Sequence, residues 1–101
     1  MIIYNVTVNI EEPVHAEWLA WMKKSHIPDV MRTGKFTSSR IFRIIGDEDS
    51  GGKTYSIQYA CNSMSDFLEY EHNYAQALRA EHTAKFKDQF VAFRTLLESV
   101  D

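Results

Sequence analysis

A chain of 101 residues, 45% hydrophobic and 25% charged, has the length and composition of one folded globular domain and not of a disordered one. Its net charge of -3 excludes the broadly basic surface by which nucleic-acid binders displace counterions. The single cysteine permits no internal disulfide, the opening Met1-Ile2-Ile3-Tyr4-Asn5 lacks the basic segment of a secretory leader, and no apolar run approaches the ~18 residues of a membrane span; the expectation is a cytoplasmic protein with no membrane segment.

Residues 2–10 alternate, with Ile2, Tyr4, Val6, Val8 and Ile10 on one face and Ile3, Asn5, Thr7 and Asn9 on the other, which predicts a strand. Glu11, Glu12 and Pro13 form a helix-start signal, because free N–H groups of a first turn favour negative charge and proline has no N–H to leave unpaired. A helix is expected from about Pro13 to Ser25, with Val14, Trp18, Trp21, Met22 and Ser25 on its inner stripe. Pro28 disfavours helical geometry at Ile27, so a break is expected near His26, followed by a short turn ending at Gly34.

A second strand is expected over 35–46. Its faces are ambiguous: Phe36, Arg40, Phe42 and Ile44 share one phase, and Ile41, Arg43 and Ile45 the other. Residues 46–52 read as an acidic, glycine-rich hairpin loop leading to a third strand, 53–61, with Tyr55, Ile57, Tyr59 and Cys61 in one phase. Ser63 and Asp66 form a capping signal for a second helix to about Ala80, whose inner stripe approximates Met64, Phe67, Leu68, Glu71, Tyr74, Ala75 and Leu78. A broken turn over 82–86 and a last strand over 90–100, with Val91, Phe93, Thr95 and Leu97 in phase, complete the chain.

The order βαββαβ specifies an α+β, ferredoxin-like fold: a four-stranded antiparallel sheet, two helices on one face, and the first and third strands central. The opposite face then carries Asn5, Thr7, Asn9, Ser56 and Gln58, with Arg43 (or Arg40, in the other phase) and Arg94 expected to join it. Pattern alone leaves two readings of that face. It is either a solvated sheet surface or the wall of a polar cavity between two paired sheets.

His26 is the candidate acid–base residue, because imidazole titrates near neutrality and this ring stands at a helix break; the alternative is a ring that caps free carbonyls. His82 carries the same ambiguity, while His15 and His72 read as solvated. The histidine spacing and the lone Cys61 do not form a metal-site pattern, so neither metal nor other cofactor is expected. Gly52-Lys53-Thr54 imitates the end of a phosphate loop, but Asp47 stands where its first glycine belongs. The run from Asp47 imitates a calcium loop, but Gln58 replaces the closing glutamate. Residues 53–60 lack the glycine and aromatics of an RNA-recognition motif.

Trp18, Trp21, the His26-Ile27-Pro28-Asp29-Val30 run, Thr33-Gly34-Lys35-Phe36 and the closing Phe90–Glu98 run together resemble a family of small bacterial proteins of unknown function within the dimeric α/β-barrel superfamily. The resemblance implies a homodimer. It leaves activity open, and the residues themselves set out three expected functions. The first is binding of a small anionic or carbonyl-bearing ligand between the sheets by Asn5, Thr7, Gln58, Arg94 and Arg43 (or Arg40). The second is cofactor-independent monooxygenase or isomerase chemistry with His26 as the acid–base residue, and the third is a structural or regulatory dimer without a ligand.

Overall fold

The structure, a computed structural model, describes residues 1–46 and 51–101; residues 47–50 of the acidic hairpin loop, where the phosphate-loop and calcium-loop imitations begin, lie outside the described residues. Four strands, β1 (Ile2–Glu11), β2 (Ser38–Arg43), β3 (Gly52–Cys61) and β4 (Phe90–Glu98), form one antiparallel sheet in the order β2-β3-β1-β4. β1 and β3 are central, as their alternation requires, and pair in register from Ile2 opposite Cys61 to Glu11 opposite Gly52. β2 is shorter than expected, since Phe36 turns into the core before the strand begins.

Two helical arms cover one face. The first runs from a 3-10 turn at Glu12–Val14 through α1 (His15–Trp21), a π-helical turn at Met22–His26, and α2 (Ile27–Arg32). The second runs through α3 (Met64–Tyr70), a π-helical turn at Glu71–Ala75, and α4 (Gln76–Lys85). The Ser63 hydroxyl caps α3, accepting the Asp66 N–H at 3.2 Å. Trp18, Met22 and Val30 from the first arm and Phe67, Tyr70, Ala75 and Phe86 from the second bury against Tyr4, Val8, Ile10, Ile57 and Tyr59 of the sheet.

The expected break near His26 is instead a wide turn. The Ile27 N–H reaches back five residues to the Met22 carbonyl, so the arm stays helical through Arg32. Widening relieves the clash of the Pro28 ring with the preceding turn and tolerates its missing donor. The inner stripe of the second arm differs from the expected one: Tyr70, Ala75 and His82 are buried, whereas Met64, Leu68 and Tyr74 are exposed. This arm also continues regularly to Lys85, past the expected end near Ala80.

β4 inverts the expected phase. Arg94 lies opposite Val6 on the helix-bearing side, and Phe93 lies opposite Thr7 on the open side. Val91 and Phe93 are 70% and 61% exposed on that open face.

Gly52 is where β3 is fitted to β1: a Cβ there would stand 2.5 Å from the Ile10 carbonyl oxygen. The requirement is room beside a rigid central strand. Gly52→Ala is expected to destabilise the protein by about 1–3 kcal/mol, read as a lower midpoint in chemical denaturation; an unchanged midpoint would mean that the start of β3 shifts freely.

Candidate functional site

The side chains that the sheet directs at the helices leave a gap at the β1–β4 side. Val6, Val8, Ile57, Tyr59, Phe90, Ala92 and Arg94 form its floor; Met22, His26 and Val30 from the first arm and Tyr70, Leu78, Arg79 and His82 from the second form its roof. The cavity, open at one side, measures about 40 Å³, on the order of three times the space one water molecule requires. The first π-turn borders it, Met22 and His26 being its two ends; the second arm reaches it with residues on either side of its own π-turn.

Trp18 Nε1 donates to His82 Nε2 at 2.9 Å in a buried hydrogen bond between the two arms. An indole N–H only donates, so His82 accepts at Nε2 and carries its proton on Nδ1. The His26 ring stands across from it, with centroids 5.7 Å apart and planes at 65°, and Trp21 packs on His26 at 5.1 Å. His26 Nδ1 is buried without a hydrogen-bond partner. Burial lowers the pKa of both rings to about 4; for His82 the neighbouring His26 and then Arg94 add to it, while for His26 Asp29 opposes the shift and Arg94 reinforces it. Both histidines are therefore neutral at pH 7.

The mouth is built on a tyrosine. The Tyr4 hydroxyl oxygen accepts from Arg79 Nη2 at 2.8 Å and from Arg94 Nε at 3.2 Å, leaving its own proton to donate. Arg79 also forms a two-point pair with Glu71, at 2.8 and 2.7 Å, and this pair pushes its pKa up, fixing the cation. Among the described residues no carboxylate pairs with Arg94. Tyr4, Arg79 and Arg94 also line an outer groove of about 330 Å³ with Phe67, Glu71, Thr95 and Leu96, so they stand between cavity and groove.

The residues singled out in the sequence divide between the two faces. His26 and Arg94 meet at the cavity. Asn5, Thr7 and Gln58 gather on the open face, where Ser56 Oγ donates to Asn5 Oδ1 at 2.5 Å, Asn5 Nδ2 to Thr7 Oγ1 at 3.1 Å and Gln58 Nε2 to Ser56 Oγ at 3.5 Å. Arg94 therefore does not join the open face, because antiparallel register sets it beside Val6. Arg43 does not either: opposite Tyr55 it takes the helix-side phase, exposed at the sheet edge, and Arg40, opposite Gln58, holds the open face over the Phe42 ring at 4.9 Å.

His15 is not simply solvated, since its Nε2 lies 2.6 Å from the Tyr55 hydroxyl; His72 is exposed. Sequence reading missed Tyr4 and Arg79 as site residues. Tyr4 sits in an apolar phase, and Arg79, four residues after the buried Ala75, reads as a solvated cation on the edge of the inner stripe. Among the described residues no three His, Cys, Asp or Glu side chains converge where a metal could sit. No helix among them is long and apolar enough to cross a membrane.

The histidines make stability depend on acid. Each ring titrates near 6.5 when unfolded and near 4 when folded, so between those values the unfolded chain binds more protons. Stability is complete above pH 6.5 and falls as pH drops toward 4, by on the order of 2–3 kcal/mol per ring. Urea denaturation across that range checks it. His82→Gln, which keeps an acceptor for Trp18, is expected to flatten the slope, and an unchanged slope in this variant would contradict the assignment.

The same architecture occurs in solved structures of low identity. A dimeric ferredoxin-like protein from an uncultured marine organism is 11% identical, with a TM-score of 0.71 over 100% of this chain and 96% of that one. An EthD family protein from Bacillus halodurans is 11% identical, with a TM-score of 0.68 over 99% and 100%. SnoaB, a cofactor-independent oxygenase from Streptomyces nogalater, was solved as a point mutant and is 9% identical, with a TM-score of 0.65 over 99% and 94%. Likeness at these identities shows the fold alone. No curated protein matches the chain. Residues 1–100 match a family described as a domain of unknown function, DUF4286, and with the ferredoxin-like fold now in place the chain belongs to that family.

Proposed function

We propose that this protein is a homodimer that takes a small carbonyl-bearing molecule into the cavity between sheet and helices, and that His26 moves a proton on it without a cofactor. The observation that carries the reading is a neutral histidine with a buried, unpartnered ring nitrogen on the wall of a cavity shared with Arg94. A neutral imidazole can accept a proton from carbon next to a carbonyl. The negative charge then forming on oxygen is stabilised by the Arg94 guanidinium and by the proton that Tyr4 has free. That same charge offsets the burial that lowers the His26 pKa, so proton uptake becomes easier as the enolate forms. His82, held by Trp18, is a positioning residue that keeps the wall beside His26 polar but uncharged. A structural relative described as a cofactor-independent oxygenase is consistent with such chemistry on this fold.

The open sheet face supports the dimer. A band of Val91, Phe93 and Leu97 on β4 and Phe42 on β2 is exposed to either side of a polar ladder of Asn5, Thr7, Ser56 and Gln58. An apolar band of this kind is the mark of an association surface, and a two-fold axis would bring each band onto its own copy. Several proteins of the same fold are described as dimeric. A second reading keeps the ligand between the paired sheets on Asn5, Thr7 and Gln58; the polar ladder favours it, although the ladder's side chains already satisfy one another.

Light scattering is expected to give twice the 11.7 kDa chain mass. Proton–deuterium exchange next to the carbonyl, followed by NMR over a panel of small ketones and oxo acids in D2O, is expected to be accelerated by the protein. The acceleration should fall by roughly 10²- to 10⁴-fold in His26→Gln. Equal exchange in that variant would remove His26 from the mechanism.

A further inference from the structure

We infer that the molecule accepted by this cavity is a small monocarboxylate, its headgroup docked on the Arg94 guanidinium and the Tyr4 hydroxyl and its apolar body enclosed behind them. The inference rests on the cavity reading above and adds the charge and shape of the ligand.

Charge comes first. Two guanidiniums meet at Tyr4, but Arg79 is already matched by Glu71 through both terminal nitrogens. Arg94 is left as the one cation of the mouth without a carboxylate among the described residues. The two histidines deeper in are uncharged at neutral pH. The mouth therefore carries one net positive charge and calls for one negative charge. A dianion such as a phosphate monoester would bring a second negative charge toward Glu71, which lines the adjoining groove.

Geometry comes second. Arg94 spends Nε on Tyr4, so its two terminal nitrogens remain as a planar fork. A planar carboxylate matches that fork with two parallel hydrogen bonds, and the Tyr4 proton can supply a third. Behind the mouth the lining is apolar, from Val6, Val8, Val30, Ile57 and Leu78, and the space of about 40 Å³ admits a short or branched body and not a long chain. For the proposed proton transfer the monocarboxylate is an oxo acid: its carboxylate takes the Arg94 fork, and the Tyr4 proton turns to the adjacent ketone oxygen, with the Arg94 charge near both.

An isosteric pair tests this: isovalerate and isovaleramide share shape and differ in charge. Each is titrated into the wild-type protein with backbone and histidine-ring NMR as readout, in low and in raised salt. Isovalerate is expected to shift the signals of His26, His82 and Arg94 and to bind at least about tenfold more tightly than the amide. Raising salt should weaken the acid and leave the amide unchanged. Arg94→Gln should reduce the acid to the affinity of the amide, whereas Lys87→Gln, at an exposed position outside the cavity and the open sheet face, should change nothing. Should Arg94→Gln fail to fold, Arg94→Lys, which keeps the charge and loses the fork, is expected to bind between the two. Equal binding of acid and amide at the cavity signals overturns the carboxylate inference and leaves the cavity reading standing. Failure of both probes to move any cavity signal overturns both.

Discussion

The buried hydrogen bond from the Trp18 indole to His82 Nε2 holds the site in its present form. It joins the two helical arms across residues 64 apart in the chain. It also supplies the polar partner that makes burial of a histidine tolerable, because an unmet ring nitrogen in an apolar setting costs on the order of 1–3 kcal/mol. Since indole can only donate, the bond selects one tautomer of His82 and opposes protonation of Nε2. Trp18 is anchored in turn by packing on Tyr55 of the sheet, with ring centroids 5.3 Å apart. The distance between the arms, and so the width of the cavity roof, follows from a contact whose two ends are both fixed by packing.

A second set of constraints centres on Tyr4. Its ring is part of the core, stacked or tilted against Phe36, Tyr59, Phe67 and Tyr70. Its hydroxyl emerges at the mouth, where Arg79 and Arg94 converge on it. One residue of the central strand thus belongs to both the packing and the polar apparatus. The position of the two guanidiniums is set by the most rigid part of the molecule, as positioning of charge requires.

How far the sequence can be read depends on whether a pattern has one cause. Alternation in β1 and β3 reflects burial against helices and nothing else, and those strands, their pairing and their central place are legible from it. Pro28 marks the location of the first π-turn, but a strict helical period treats it as an end. The second π-turn has no comparable marker; beyond it Arg79 and His82 follow Ala75 at helical spacing, but a cation and an imidazole on that stripe do not read as lining for a cavity. In β4 the more apolar phase reads as the core face, yet Val91, Phe93 and Leu97 face away from the helices, and Arg94 faces inward. An edge strand such as β4, paired on one side only, can carry apolar side chains on either face, so its composition does not identify its core face. His26 stands out because a break and a titratable ring coincide there. Its partners come from elements whose phase the sequence leaves undetermined.

The two π-turns also have a genetic meaning. Each amounts to one residue more than an α-helix needs over the same span, a length change of a single codon. Removing that codon between Met22 and His26 would return the turn to α-helical spacing and swing everything beyond it by about 100° about the helix axis. The length of this turn is therefore tied to the packing of the arm as a whole, because the same rotation that carried His26 off the cavity would carry the core side chain Val30 off the sheet.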